Sequence, residues 1–371
     1  QTAALKEAWD RGACDIQVDA KTASTIYVLV KGDERYGAPA VLCRSKDKGA
    51  TFASFPFGSS ASIPEGNLAV HPDSPSVVYW GGSWGGSSSQ EKQGIGVFKS
   101  VNGGKTWSRS KLLEGFLYKC RIAMSPANPA TIYFCAEYTP SDWSDIAVAV
   151  FVSLDAGRSW KDITPDFLGD PGPCNLLHDL CADPADPGKI YVCAGSDRST
   201  YDWSGVAQTS DFGATWTRSR GPRTNFQANS LAIDEDRPGT LYATALEPRE
   251  NPNRPPNAFY VSGDGGQTFE FKTLIRGESH RILASGGAIL CASAAGVFKS
   301  LDGGLSFSPW ATGLLATEVG SLAFVPVPSA RTAPPASATP TCGACAKAST
   351  GDCSSRTRRP RRGKNCRRSR R

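Results

Sequence analysis

The chain reads as short apolar runs broken by compact polar clusters, and the same order of runs returns five times. An apolar stretch leads into a Pro/Asp/Gly cluster and then into a β-branched run that carries a tyrosine. The copies run from Val18 to Tyr27, from Val70 through His71-Pro72-Asp73-Ser74-Pro75 to Tyr79, and from Met124 through Pro126 and Pro129 to Tyr133. They return from Ala182 through Pro184 and Pro187 to Tyr191, and from Ile233 through Asp234-Glu235-Asp236-Arg237-Pro238 to Tyr242. Each predicts a hairpin: strand, proline-fixed turn, strand. A variable stretch follows, then a third apolar run such as 96–99, then a polar octet, then a fourth strand.

That octet is Ser100-Val101-Asn102-Gly103-Gly104-Lys105-Thr106-Trp107. Its grammar is Ser or Thr, any residue, Asp or Asn, any, Gly, any, Thr or Ser, aromatic. Copies stand at 45–52 (Asp47, Gly49, Thr51), 153–160 (Asp155, Gly157, Ser159) and 209–216 (Asp211, Gly213, Thr215). Two more stand at 262–269 (Asp264, Gly266, Thr268) and 300–307 (Asp302, Gly304, Ser306), and the six are offset by 55, 53, 56, 53 and 38 residues. The physics of one copy is a tight turn. Its carboxylate accepts backbone N–H bonds, its hydroxyls bond locally, its glycine supplies positive φ and its aromatic drops into apolar packing. An acid stamped once per repeat is scaffold, because sites are grafted onto folds at particular places. A calcium loop would also need several alternating oxygen ligands and a terminal Glu.

Four strands per roughly 50-residue unit is one blade of a radial array. The expected fold is all-β: a six- to seven-bladed β-propeller of four-stranded antiparallel blades, the last blade incomplete. Five blades are complete. The sixth, 282–307, is short and uses Gly286-Gly287 as its first turn, and 319–326 resembles the first strand of a seventh. The expected organisation is therefore an N-terminal segment, 1–13, as a ring-closing strand or a short helix over 3–9, then a propeller over 14–329, then a tail over 330–371.

Composition changes the picture mainly at the tail. Gly 38, Pro 26 and 9 Trp among 371 residues suit many strands and turns. No apolar run approaches the roughly 20 residues of a membrane helix. The net charge of +6 is misleading, since residues 341–371 carry eleven basic residues against Asp352, or +10, which leaves the first 340 residues at −4. Residues 332–340 are Pro/Ala/Ser/Thr-rich and 356–371 are arginine-rich. This tail is expected to be disordered, read either as a basic arm or as a stretch outside the native frame. No aromatics interleave its arginines, so nucleic acid is disfavoured as a partner.

Of the 12 cysteines, eight lie in the body, an even number that suits an oxidising compartment. Cys120 and Cys135, at the two ends of one hairpin, are candidates for cross-strand neighbours. Cys342-Gly343-Ala344-Cys345 is a lone CxxC, and a zinc site would want a second pair. His71, His178 and His280 are dispersed. Neither a metal site nor a cofactor motif is expected.

The octet resembles the Asp-box (BNR) repeat of sialidases, xyloglucanases and sortilin-type receptors, over roughly 14–329. Arg121-Ile122 and Arg281-Ile282 lack the proline of the sialidases' Arg-Ile-Pro motif. The spacing and the Pro-x-x-Pro hairpins are closer to the xyloglucanase-type glycosidases of family 74. That resemblance implies a secreted or cell-envelope protein acting on a polysaccharide or glycan through two aspartates, in a cleft between two seven-bladed propellers. It also implies a ligand face formed by the loops between second and third strands, opposite the Asp-box turns.

Those loops are rich in acids and aromatics: Asp33 and Tyr36 in blade one, Trp80 and Trp84 in blade two, Tyr138, Asp142 and Trp143 in blade three, Tyr201, Asp202 and Trp203 in blade four. Aromatic faces beside carboxylates suit sugars, which offer C–H faces for stacking and hydroxyls for hydrogen bonds. The catalytic candidates are Asp33, placed by the resemblance in the first-blade loop of the base, with Asp142 and Asp202. The ligand-binding candidates are Tyr36, Trp80, Trp84, Tyr138, Trp143, Tyr201 and Trp203. The other reading is a non-catalytic propeller that binds a glycan or a protein partner, as the receptor members do.

Overall fold

The structure is a computed structural model and describes residues 13–19, 21, 23–30, 40–57, 61–62, 68–85, 93–142, 145–168, 176–195, 204–219, 227–237, 239–246, 257–310, 319–324 and 342–346. Every regular element among them is a strand.

The first blade is a four-stranded antiparallel sheet of β1 (Ala13–Val18), β2 (Ile26–Val30), β3 (Val41–Ser45) and β4 (Ala53–Pro56), in that order. The second holds β5 (Ala61–Ser62), β6 (Leu68–Val70), β7 (Val78–Trp84), β8 (Gln93–Ser100) and the first half of β9 (Ser108–Met124). The second half of β9 opens the third blade, with β10 (Ile132–Pro140), β11 (Ala147–Ser153) and β12 (Lys161–Asp162). Gly115 is the corner at which β9 changes blades, facing Gln93 on one side and Pro140 on the other. A Cβ there would run into the carbonyl oxygen of Thr139, so only glycine fits.

Three further sheets repeat the plan: β13 (Leu176–Ala182) to β16 (Thr217–Arg218) through β14 (Ile190–Gly195) and β15 (Gly205–Thr209); β17 (Gln227–Ile233) to β20 (Glu270–Ile275) through β18 (Leu241–Leu246) and β19 (Asn257–Ser262); and β21 (Ser279–Ser285) to β24 (Ser308–Pro309) through β22 (Ala288–Ser293) and β23 (Gly296–Ser300). The last sheet has two strands, β25 (Val319–Phe324) and β26 (Cys342–Ala346).

The first strands β1, β6, β9, β13, β17, β21 and β25 each lie against the next, and β25 also lies against β1. The ring closes on seven inner strands, so the inner edge of each is shielded by its neighbours in the ring. The core runs around the ring between blades. Leu29, Leu42, Phe57, Leu68, Trp80 and Phe98 fill the seam of blades one and two. Ile16, Val28, Val41, Cys43 and Ala323 fill the seam that closes the ring. The repeated second-strand tyrosines are buried, and three of them bridge blades: the Tyr27 hydroxyl donates to the Pro75 carbonyl at 2.7 Å, the Tyr79 hydroxyl to that of Ala156 at 2.9 Å and the Tyr133 hydroxyl to that of Pro187 at 2.6 Å.

All six octets sit between third and fourth strands, as expected. In the first, the Ser45 Oγ accepts the Gly49 N–H at 2.8 Å, and Asp47 accepts the Thr51 N–H at 2.8 Å and its hydroxyl at 2.5 Å. The same bonds recur at Asp155, Asp211, Asp264 and Asp302. These bonds to hydroxyl and backbone hold Asp47 and Asp211 down at about 2. The residue before the octet glycine is also left-handed, at φ 58 for Lys48, 60 for Ala156 and 57 for Phe212. The aromatics insert where expected: Trp216 donates Nε1–H to the Ile163 carbonyl of the preceding blade at 3.0 Å.

Two expectations are corrected. Cys120 faces Ala136 and Cys135 faces Arg121, one register step apart, so the thiols point to opposite faces of the sheet. Cys120 joins the core of blades two and three and Cys135 that of blades three and four, and both are free. The tail expected to be disordered supplies β26, which pairs with β25. An inner strand with an unpaired outer edge is a template for any extended segment. Residues 1–12 and the rest of the tail lie outside the described residues.

Candidate functional site

Antiparallel order fixes what each face of the ring carries. The Pro/Asp turns and the Asp-box turns open on one face. The loops between second and third strands, with the entry points of the inner strands, open on the other. Five inner strands carry a β-bulge just after entry: at Cys14, His178, Asn229, His280 and Gly320, where the register shifts by one. A bulge bends its strand and re-aims the following side chain. The residues that follow are Asp15, Asp179, Ser230, Arg281 and Ser321, and Arg121 holds the same repeat position in blade three.

Asp15, Arg121, Asp179, Ser230 and Arg281 build a polar belt at the loop-face mouth of the central channel. Asp179 is its hub, with a side chain only 2% exposed. Its Oδ1 accepts the Leu180 N–H at 2.9 Å and the Arg281 guanidinium at 3.2 Å, with Arg121 Nε at 3.8 Å. Its Oδ2 accepts the Ser230 hydroxyl at 2.9 Å and the Leu231 N–H at 3.0 Å. Ser230 Oγ in turn accepts the Ile282 N–H at 3.1 Å. One carboxylate therefore ties blades three, four, five and six together. Asp15 does the same for blades one and two, accepting the N–H groups of Ile16 at 2.8 Å and Leu68 at 2.6 Å. The Asp179 charge raises the Arg281 pKa above its ordinary value against the opposing effect of burial.

A carboxylate offers about four acceptor positions, and four hydrogen bonds fill those of Asp179. It has no free edge from which to exchange a proton with a ligand, so the belt positions groups rather than transferring protons. Beneath it lies a cavity of about 490 Å³, lined mainly by apolar residues of all seven inner strands, among them Val18, Val70, Met124, Leu231, Leu283 and Ala323.

His178 sits beside the hub. Its Nε2 is buried without a hydrogen-bond partner among the described residues and faces Ser204 Oγ across Gly195. Burial lowers its pKa to about 4, helped by the charges of Lys119 and Arg121 and opposed by Asp179. The imidazole is neutral at pH 7.

Of the candidates from the sequence, Asp33, Tyr36, Trp143, Tyr201, Asp202 and Trp203 lie outside the described residues. Asp142 is exposed in the turn after β10, and Tyr138 is half-buried on the same strand against the core of blades two and three. Trp84, half-buried at the end of β7, lies on Gly94, with the Arg109 guanidinium 5.1 Å from its ring centroid and Phe98 edge-on at 5.2 Å. Trp80 is fully enclosed between Phe57 at 4.7 Å and Phe98 at 4.4 Å, so it is a core residue and stacks on no ligand. The glycines that follow it are the space its ring needs: a Cβ at Gly82 would collide with it.

Sequence reasoning missed the belt. The signal was present as one register position in the first strands: Cys14-Asp15-Ile16, Cys120-Arg121-Ile122, His178-Asp179-Leu180, Asn229-Ser230-Leu231 and His280-Arg281-Ile282. Among the described residues no three His, Cys, Asp or Glu gather to hold a metal ion, and no helix is long and apolar enough to cross a membrane.

No family model matches the chain. A xyloglucanase of Hypocrea jecorina (strain QM6a) is 24% identical over 292 residues, covering 70% of this chain and 32% of that protein. A xyloglucanase of Acetivibrio thermocellus is 26% identical over 189 residues, covering 45% of this chain and 22% of that one. Among solved structures, a GH74 enzyme of Niastella koreensis superposes with a TM-score of 0.61 at 20% identity, over 81% of this chain and 46% of its own. The GH74 xyloglucanase of Xanthomonas campestris gives 0.57 at 17%, over 80% and 46%. The likeness shows an all-β propeller fold. The chain spans under half the length of these structures and about a third or less of the curated relatives.

Proposed function

We propose that this chain is a glycan-directed propeller of the xyloglucanase kind, exported to the cell envelope or beyond, that engages a polysaccharide on its loop face. The observation that carries the reading is the belt. Bulged inner strands fix a rigid polar floor at one mouth of the channel, on the face where Asp142 also lies. Xyloglucanase relatives at 24–26% identity support the substrate class. Hydrolysis would need two carboxylates about 6.5–9.5 Å apart for inversion or about 5 Å apart for retention. Asp33, Asp142 and Asp202 are the acids available for it.

One observation favours a second reading, a propeller that binds glycan or a protein without turnover. Asp15, Asp179 and Glu137, the buried carboxylates of this face, are engaged by backbone amides, and Glu137 Oε2 accepts the Leu177 N–H at 2.8 Å. A hydrolysis screen on xyloglucan and other β-glucans, run beside affinity electrophoresis on the same polymers, separates the readings. Retardation with product release, lost in Asp142→Asn or Asp33→Asn while retardation persists, supports the enzyme. Retardation without product supports the binder, and no retardation on any polymer overturns both glycan readings.

A further inference from the structure

We propose that Tyr118 is a stacking platform for one neutral pyranose ring, a subsite on the blade-three wall of the channel mouth. The inference rests on the glycan reading above and names where on that face a sugar would sit.

Three observations converge on this side chain. The first is backbone geometry. Glu137 faces Lys119 and Tyr138 faces Leu117, so Tyr118 is the extra residue of a β-bulge. In blades one, four, five and six the bulge immediately precedes the belt residue. In blade three Cys120 holds that place and is fully buried, and the bulge moves back to Tyr118. The displacement puts an aromatic residue at the bulge, where blades four, five and six carry His178, Asn229 and His280.

The second is exposure. Tyr118 is 40% exposed. The other large apolar side chains exposed among the described residues are Val101, Leu154, Leu301 and Leu305 in Asp-box turns and Phe271 and Leu274 on β20. Only Tyr118 belongs to an inner strand, three residues past the Gly115 corner and hence at the loop face.

The third is rigidity. Its hydroxyl lies 3.1 Å from Thr139 Oγ1, itself buried, and Phe116 meets its ring edge-on at 5.1 Å and 68°. A ring already held in place loses little freedom when a ligand docks. It presents an apolar face for the C–H side of a sugar, and the adjacent Lys119 carries an ammonium that can donate to a hydroxyl. Among the described residues the belt does not favour an anionic sugar: Arg121 and Arg281 are offset by Asp179 and Asp15, so the belt arginines leave no surplus positive charge for a carboxylate.

The test is affinity electrophoresis of the wild type, Tyr118→Ala, Tyr118→Leu and Tyr118→Phe in gels containing xyloglucan, mixed-linkage β-glucan or polygalacturonate, with melting temperatures alongside. The expected result is retardation of the wild type by a neutral glucan and a loss of roughly tenfold in affinity for Ala and Leu. Phe should stay within about threefold. The leucine variant keeps apolar bulk at the bulge, so it reads ring loss even if the alanine variant melts. Leu or Ala binding as tightly as the wild type overturns the subsite and leaves the glycan reading standing. Binding of polygalacturonate in preference to the glucans overturns the neutral-sugar class. A wild type retarded by no polymer overturns the subsite and the glycan reading together.

Discussion

The octets on one face of the ring and the belt on the other are held by opposite kinds of bond. On the Asp-box face each hydrogen bond of the octet spans two to four residues, Ser45 to Gly49 and Asp47 to Thr51, and the pattern is repeated in six blades. On the loop face the deciding bonds span 53 residues from Asp15 to Leu68, 52 from Asp179 to Leu231 and 102 from Arg281 to Asp179. A local turn can form before the ring does. The belt exists only once the ring has closed, because its partners arrive from different blades. The first kind of bond therefore supports many folds and tasks, while the second sets the shape of one particular mouth.

The sharpest test removes the hub. Asp179→Ala strips the partner from two arginines of low exposure and leaves the Ser230 hydroxyl and the Leu231 N–H without their acceptor. Breaking a buried pair from one side costs about 3–5 kcal/mol, so urea unfolding should show a loss of that size. Asp155→Asn on the opposite face should cost much less, because the chain already runs that experiment. Blade two carries Asn102 in the same place, with Oδ1 accepting the Thr106 N–H at 2.9 Å and Nδ2 donating to its hydroxyl at 2.7 Å. Equal losses for the two variants would erase the contrast between the faces.

Acid should separate the faces next. His178 is held at about 4 in the fold against about 6.5 in the unfolded chain. The unfolded state takes up its proton first, so the stability His178 lends is whole above pH 6.5 and is lost as pH falls toward 4. That amounts to about 3 kcal/mol at most. The box acids Asp47 and Asp211, lowered to about 2, lose their contribution only below about pH 4. Unfolding free energies at pH 7 and pH 4.5 should thus differ through the loop face, and His178→Asn should flatten the difference. Asn229 shows that the bulge accepts an asparagine. An undiminished slope in that variant would remove His178 from the account.

A smaller effect concerns the packing under the mouth. Gly94 lies beneath the Trp84 ring, and a Cβ there would come within 2.7 Å of it. Gly94→Ala should cost about 1–3 kcal/mol by overpacking and shift the tryptophan emission as Trp84 moves off Arg109. An unchanged spectrum would mean that the ring is free to tilt and is not fixed by the glycine.

What the sequence disclosed follows the same division. The octets were legible because their partners are near neighbours in the chain, and the hairpins because proline fixes a turn wherever it stands. Trp80 was misread for a reason internal to sequence: glycines beside a tryptophan look the same whether they open a loop or make room for the ring. Tyr118 gave no signal, since a bulge is a property of pairing, visible only when Glu137 and Tyr138 are set against β9. Asp179 was hidden because the repeated register position marks it and Arg281 without showing that they meet across 102 residues.

The smallest expected effect on stability is the one that bears most on function. Asp142 is exposed in the turn that follows Pro140, on the face that carries the belt. Exposed substitutions away from caps and cores change stability by less than about 0.5 kcal/mol, so Asp142→Asn should unfold with the wild type in urea. The amide keeps the shape and most hydrogen-bonding capacity of the acid but cannot exchange a proton at neutral pH. If Asp142 supplies acid or base, turnover of a glucan should fall while retardation in the gel persists. If it only bonds a sugar hydroxyl, affinity should drop without any change in products. Should both stay at wild-type level, the blade-three turn carries no chemistry, and the work of this face would fall to Tyr118 and the acids of the other loops.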